Sequence, residues 1–396
     1  MIGKSFFNPA FVVTAAFIGP GTITMCILTG TNYGFDLLWA VLCSTLITIF
    51  IQNIAARISF YSKKGLATTI LGNEKNKILK ILLICLIFSS IFIGNSAYEA
   101  GNLSGTLIGT NGILNLLSIK LSNFIQLTIL CLIIVIIIFI NNYKILSNIL
   151  MLIVAFMSLS FLISSFVTKP DFIEILKGLF IPSFNSKNVL NVVGIVGTTV
   201  VPYNLFLHAA LVNKKYKDIN SIKLDTIIAV SIGGVISICI IVTSASLQGA
   251  NITNPSEIRG LLEPFYGNIS NWIINLGFFC AGLTSSITAP IAAAIIFCEC
   301  FNLKLNGFYY KLVSITVVLI GFIFSSIYTL PIQIILFAQV ANGILLPVLG
   351  VLLFVLINKK TNEPPKKNDY DKIILLLIEL FFIFLCVSSI LKIFNV

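Results

Sequence analysis

Ala16-Phe17-Ile18-Gly19-Pro20-Gly21-Thr22 and Gly197-Thr198-Thr199-Val200-Val201-Pro202-Tyr203 decide how this chain folds. Each sets a Gly/Pro interruption in the middle of an apolar run long enough to cross a bilayer. Proline removes a backbone donor and clashes with the preceding turn, and glycine frees the backbone from the limits of a Cβ. A single kink of this kind is ordinary in a membrane helix. Two in corresponding positions, five spans apart, carry more information, because an odd offset turns the second copy upside down relative to the first. A matched pair of broken helices in two inverted halves marks the binding site of a secondary transporter.

Working outward, 58% of the 396 residues are hydrophobic and 10% are charged, with a mean hydropathy of +1.05. A water-soluble domain carries about 25% charged residues, so this composition excludes one. The unit to count is the span of about 20 apolar residues. Eleven segments qualify, over roughly 11–31, 37–56, 78–100, 123–141, 145–167, 190–212, 224–247, 270–297, 309–327, 331–357 and 373–394. They form one polytopic domain over 1–396, with inverted repeats at about 11–167 and 190–357 and an extra helix at about 373–394. The first run lacks a small-residue cleavage signal and contains Pro20, so it reads as a retained span.

Placing the N-terminus in the cytoplasm puts nineteen of the 25 Lys and Arg residues on cytoplasmic loops and six on the other face. That asymmetry is the positive-inside pattern of a plasma (inner) membrane protein. It accounts for most of the net charge of +11 without a nucleic-acid partner. The nine cysteines are scattered through apolar stretches and read as small buried residues. Cys298-x-Cys300 has no further metal ligands near it in sequence.

The residues at both interruptions resemble those of the natural resistance-associated macrophage protein (NRAMP) family of proton-coupled metal transporters. The likeness extends to Gly30-Thr31-Asn32-Tyr33-Gly34-Phe35, Asn204-Leu205-Phe206-Leu207-His208, Gly282-Leu283-Thr284-Ser285-Ser286-Ile287-Thr288 and Gln339-Val340. It implies an all-α membrane protein of the LeuT-type fold, two inverted five-helix repeats plus an eleventh transmembrane helix. The departures lie at the site itself. Where the family reads Asp-Pro-Gly-Asn and binds metal through the Asp and Asn, this chain has Gly19, Pro20, Gly21 and Thr22. Where the family reads Met-Pro-His, it has Val201, Pro202 and Tyr203. In span three the family's Asp, one turn before a Glu used in proton movement, is Ser96, and only Glu99 is kept.

A dication stripped of water at the membrane midplane needs anionic or soft ligands, and these positions offer hydroxyls and carbonyls alone. The sequence therefore predicts no metal ligands and no resident cofactor. The start of a half-helix at Gly21 and Thr22 offers N–H groups and a positive dipole end to a carboxylate. Carbonyls ending the first half of span six suit an ammonium group. The expected substrate is a small organic solute such as an amino acid, lined by Gly19, Pro20, Gly21, Thr22, Val201, Pro202 and Tyr203, with Gln339 and Asn342 of span ten closing over it. The alternative is a divalent metal cation (Mg, Mn or Fe), coupled to protons. Glu99 and His208, the sole histidine, are the candidates for carrying a coupling proton or cation. Glu379 in span eleven is expected to pair with a neighbour or a lipid headgroup. One histidine and two well-separated intraspan carboxylates are a poor basis for an enzyme, and neither a repeated pore loop nor a polar ring suggests a channel. A receptor that keeps the fold without transporting is distinguished by binding without flux.

Overall fold

Inside lipid every backbone N–H and C=O must find its partner within the protein, which leaves helices as the economical solution for apolar runs. The computed structural model of the chain describes residues 18–72, 74–140, 144–215, 218–249, 257, 260, 262–305, 307–327, 330–358 and 369–394. The first half contains α1 (Pro20–Tyr33), α2 (Leu38–Ser62), the short α3 (Leu66–Leu71) and α4 (Lys77–Phe88). A five-residue π-helical turn, Ser89–Ile93, joins α4 to α5 (Gly94–Leu116), and α6 (Asn123–Ile140) and α7 (Lys144–Val167) follow. A short helix, α8 (Phe172–Phe180), leads to the second half. There α9 (Val189–Thr199) and α10 (Pro202–Lys215) are the two parts of span six, followed by α11 (Ile219–Ala245), the four-residue α12 (Glu263–Tyr266) and α13 (Ile269–Phe301). The remaining helices are α14 (Phe308–Ile327), α15 (Pro331–Asn358) and α16 (Asp369–Ile393).

Ten helical stretches among the described residues are long and apolar enough to cross a membrane. The eleventh expected segment, the first span, is described only from Ile18 onward, as the 14-residue α1. The preceding half of that span (11–17) and the basic loop at 359–368 lie outside the described residues.

The packing follows the inverted repeat. α1 lies on α11 as α9 and α10 lie on α2, and α5 lies on α15 as α13 lies on α7. At the centre α5 and α13, the counterparts of each other, pack together. α5 is buried along nearly its whole length from Gly94 to Gly109, whereas α6 turns Ile129, Leu132 and Ile136 outward. Outward apolar side chains are what a lipid-facing helix requires.

Span three departs from expectation. It ends near residue 100 by hydropathy, but the helix runs unbroken from Lys77 to Leu116. The added turns read Gly101-Asn102-Leu103-Ser104-Gly105-Thr106, small and polar because they face other helices. Glu99 therefore stands in the middle of a long helix and not at its outer end. At the connection between the halves, Tyr33 Oη donates to the Lys187 carbonyl at 2.9 Å and Trp39 Nε1 to the Ser183 carbonyl at 3.3 Å. At the other end of α2, Arg57 pairs with Asp371 at the start of α16.

Candidate functional site

The start of α1 and the interruption of span six meet in the middle of the bundle. Gly19 is extended (φ −87°, ψ 170°) and Pro20 opens α1 as its first helical residue. Proline suits that position because its missing N–H would have had no partner there. The ladder closes from Ile23, whose N–H donates to the Gly19 carbonyl at 3.2 Å. Gly21 and Thr22 already belong to the first turn of α1, while the half of span one before Ile18 lies outside the described residues. In span six α9 ends at Thr199, Val200 leaves helical geometry (φ −91°, ψ 86°), and α10 starts at Pro202. Val201 sits in the gap, buried.

A helix that stops inside a membrane must place its last carbonyls elsewhere. Here the Gly197 carbonyl accepts from Tyr98 Oη at 2.6 Å and from Asn342 Nδ2. Asn342 Nδ2 also reaches the Val200 carbonyl at 3.3 Å, and Thr48 Oγ1 reaches that of Thr199 at 3.4 Å. The hydroxyls of Thr22 and Thr198 lie 2.9 Å apart and join the two interruptions directly. The Tyr203 ring meets Tyr98 edge to face, with centroids 5.8 Å apart. Gln339 covers Gly21 so closely that a Cβ built there would lie 2.1 Å from Nε2. A Cβ at Gly19 would lie 3.3 Å from Ser285 Oγ.

The structure therefore brings together Gly19, Pro20, Gly21, Thr22, Val201, Pro202, Tyr203, Gln339 and Asn342, from α1, the span-six interruption and α15. It adds Tyr98, Thr198 and Ser285, which the motif reading passes over. Tyr98 had a signal: Asn95, Tyr98, Glu99 and Asn102 form a polar stripe at helical spacing in span three.

The coupling candidates stand apart from this centre. Glu99 is fully buried, but its stem faces Gly321 of α14, where an added Cβ would come within 2.6 Å of Glu99 Cγ. Asn102 and Ser286 stand beside it, and neither closes a hydrogen bond to its carboxylate oxygens. His208 is buried on α10 with Nδ1 unpartnered, and Asn204, one turn earlier, leaves both amide atoms unpartnered. Glu379 Oε2 has no hydrogen-bond partner among the described residues and lies over Gly350 of α15. Among the described residues no three His, Cys, Asp or Glu side chains converge to hold a metal ion.

Inverted halves, a broken span six meeting the start of α1 mid-bundle and a polar lining at that meeting point define the architecture of a secondary transporter of the LeuT type. More narrowly, the chain belongs to the NRAMP family: the model for natural resistance-associated macrophage protein-like proteins matches residues 10–392. Among curated relatives, the natural resistance-associated macrophage protein 2 homolog of Dictyostelium discoideum is 28% identical over 310 residues, covering 74% of this chain and 48% of that protein. The divalent metal cation transporter MntH of Caldanaerobacter subterraneus subsp. tengcongensis is 27% identical over 309 residues, covering 74% of this chain and 70% of that protein. The chain thus matches about half the length of the first relative and over two thirds of the second. Among solved structures, the Eremococcus coleocola manganese transporter superposes with a TM-score of 0.78 at 18% identity, over 98% of this chain and 87% of that one. MhsT in complex with L-phenylalanine superposes with a TM-score of 0.68 at 14% identity, over 99% and 100%. At these identities the two superpositions establish the fold alone.

Proposed function

We propose that this protein is a secondary active transporter whose central site takes a small zwitterionic organic solute, most simply an amino acid, by alternating access. The observation that carries the reading is the uncharged lining of the meeting point: hydroxyls of Thr22, Thr198, Tyr98 and Tyr203, amides of Gln339 and Asn342, and backbone. Burying a bare dication among such groups costs several kcal/mol or more, because no ligand compensates its charge. A zwitterion brings its own compensation. Its ammonium group suits the Gly197 and Val200 carbonyls, which accept an N–H donor from Asn342 in this conformation. The carbonyl oxygens of Gln339 and Asn342 are buried without donors and add two further acceptors. Its carboxylate suits the positive end of α1, once the Gln339 amide moves off Gly21. Glu99 and His208 are assigned to coupling, as buried titratable groups beside the site and not within it.

A second reading is favoured by the relatives named above as divalent metal cation transporters. A divalent ion that keeps most of its water, as magnesium tends to do, can be held by neutral oxygens through that water. The two readings separate in one experiment, uptake of a labelled amino-acid mixture and of labelled divalent metals into proteoliposomes, wild type beside Gly19→Asp. The organic-solute reading expects amino-acid uptake in wild type and its loss in Gly19→Asp, where a carboxylate faces a carboxylate. Metal uptake without amino-acid uptake supports the second reading and overturns the first.

A further inference from the structure

Away from the central site, an apolar groove lies between α4 and α13. Ile84, Ile87 and Ile91 form one wall, and Ala293, Phe297 and Phe301 the other. Phe88 and Phe301 at its mouth are 41% and 48% exposed, so the groove opens on the lipid-facing surface. The π-helical turn Ser89–Ile93 contributes Ile91 and Phe92 to this wall, its extra residue changing which side chains face α13.

The charge at the end of the groove identifies its occupant. On α4, Lys77 and Lys80 precede Ile84 by seven and four residues, which places them on the groove-lining face, further toward the basic end of the bundle. On the other wall, α13 ends at Phe301, and Lys304 follows two residues after the left-handed cap at Asn302. All three lysines are exposed, and none is in a salt bridge among the described residues. Of the nearby acids, Glu74 Oε1 accepts from the Asn76 N–H, and the Glu299 carboxylate lies over Gly65. An apolar groove near three ammonium groups that form no salt bridge among the described residues matches an amphiphile with an anionic head.

We infer that this groove is a binding site for an anionic phospholipid of the leaflet at the basic end of the bundle. One acyl chain lies between α4 and α13, and the phosphate lies among Lys77, Lys80 and Lys304. A lipid here wedges between the two central spans, α4–α5 and α13, so its occupancy bears on how they move against each other. This inference stands independently of the transported substrate.

The test is native mass spectrometry of the full-length, detergent-purified protein titrated with phosphatidylglycerol or phosphatidylcholine. Phosphatidylglycerol is expected to be retained in preference. Basic residues near an anionic surface are worth about fivefold each, so Lys77→Gln/Lys80→Gln/Lys304→Gln should weaken that retention by about a hundredfold. Lys223→Gln, an exposed lysine away from the groove, should leave it unchanged. Ala293→Phe, which fills the slot without changing charge, should abolish it. Equal retention of the two lipids overturns the proposal, as does a triple variant, made at surface positions that leave the fold intact, that binds phosphatidylglycerol like wild type.

Discussion

Gln339 occupies the space that a side chain at Gly21 would need. A Cβ at Gly21 meets the Gln339 amide at 2.1 Å, the far end of a flexible side chain. Gly21→Ala should therefore cost about 1–3 kcal/mol of stability as an overpacked contact. In a Gln339→Ala background the same change should cost near zero. Thermal melting of the four proteins of this double-mutant cycle measures the coupling, and additive losses would count against the contact. Asn342 offers a second residue-scale prediction, since its Nδ2 serves the carbonyls of both Gly197 and Val200. Asn342→Ala leaves the Val200 carbonyl buried without that donor, at about 1–3 kcal/mol, whereas Tyr98→Phe should cost only about 1 kcal/mol because Gly197 keeps Asn342. At this scale the sequence was informative where a residue type forbids a conformation. Pro20 and Pro202 begin helices as their missing N–H groups require. It marked Tyr98 only through the polar stripe of span three and did not single out Thr198 or Ser285, because nothing along one chain says which residues of span six or eight face the central site.

The crossing of α9 and α15 is an element-scale device built from two glycines. A Cβ at Gly197 would lie 2.3 Å from the Gln339 carbonyl oxygen, and one at Gly343 would lie 2.7 Å from that of Val193. Both contacts involve backbone, so neither is relieved by a rotamer change. Gly197→Ala and Gly343→Ala should each force the helices apart and lower the melting temperature more than Gly21→Ala does. A smaller loss would show that the crossing tolerates separation. Close approach through small residues is how membrane helices gain packing without a hydrophobic driving force. Helix existence and order were legible from hydropathy, and span three shows where that signal stops. Past Gly101 the helix exchanges lipid for protein contacts, its composition turns to Gly, Ser, Thr and Asn, and the apolar count ends although the helix does not. The same blindness left Glu99 at the last residues of span three, and its orientation toward Gly321 of α14 depends on a packing that no local pattern encodes.

Over the whole molecule the inverted architecture makes a topological claim. With the basic loops inside, Lys187 before α9 and Lys304 after α13 lie on opposite faces of the bilayer. In a background freed of the nine cysteines, Lys187→Cys should react with an impermeant maleimide added outside and Lys304→Cys only after permeabilisation. The reverse labelling would invert the assigned orientation. The overall fold was legible because two interruptions at an odd spacing specify inverted halves. Substrate choice was less so, because it depends on what fills the meeting point, and there this chain carries Gly19, Thr22 and Val201 where its family carries Asp, Asn and Met. The central claim is that an uncharged centre selects a zwitterion over a bare transition metal. Calorimetric titration of the purified protein with manganese, beside a thermal-shift series of amino acids, addresses it most directly. The account predicts no micromolar manganese binding and a stabilising shift with at least one amino acid. Micromolar manganese binding that is lost in Thr22→Ala or Tyr203→Phe, with no amino acid stabilising the protein, would contradict it.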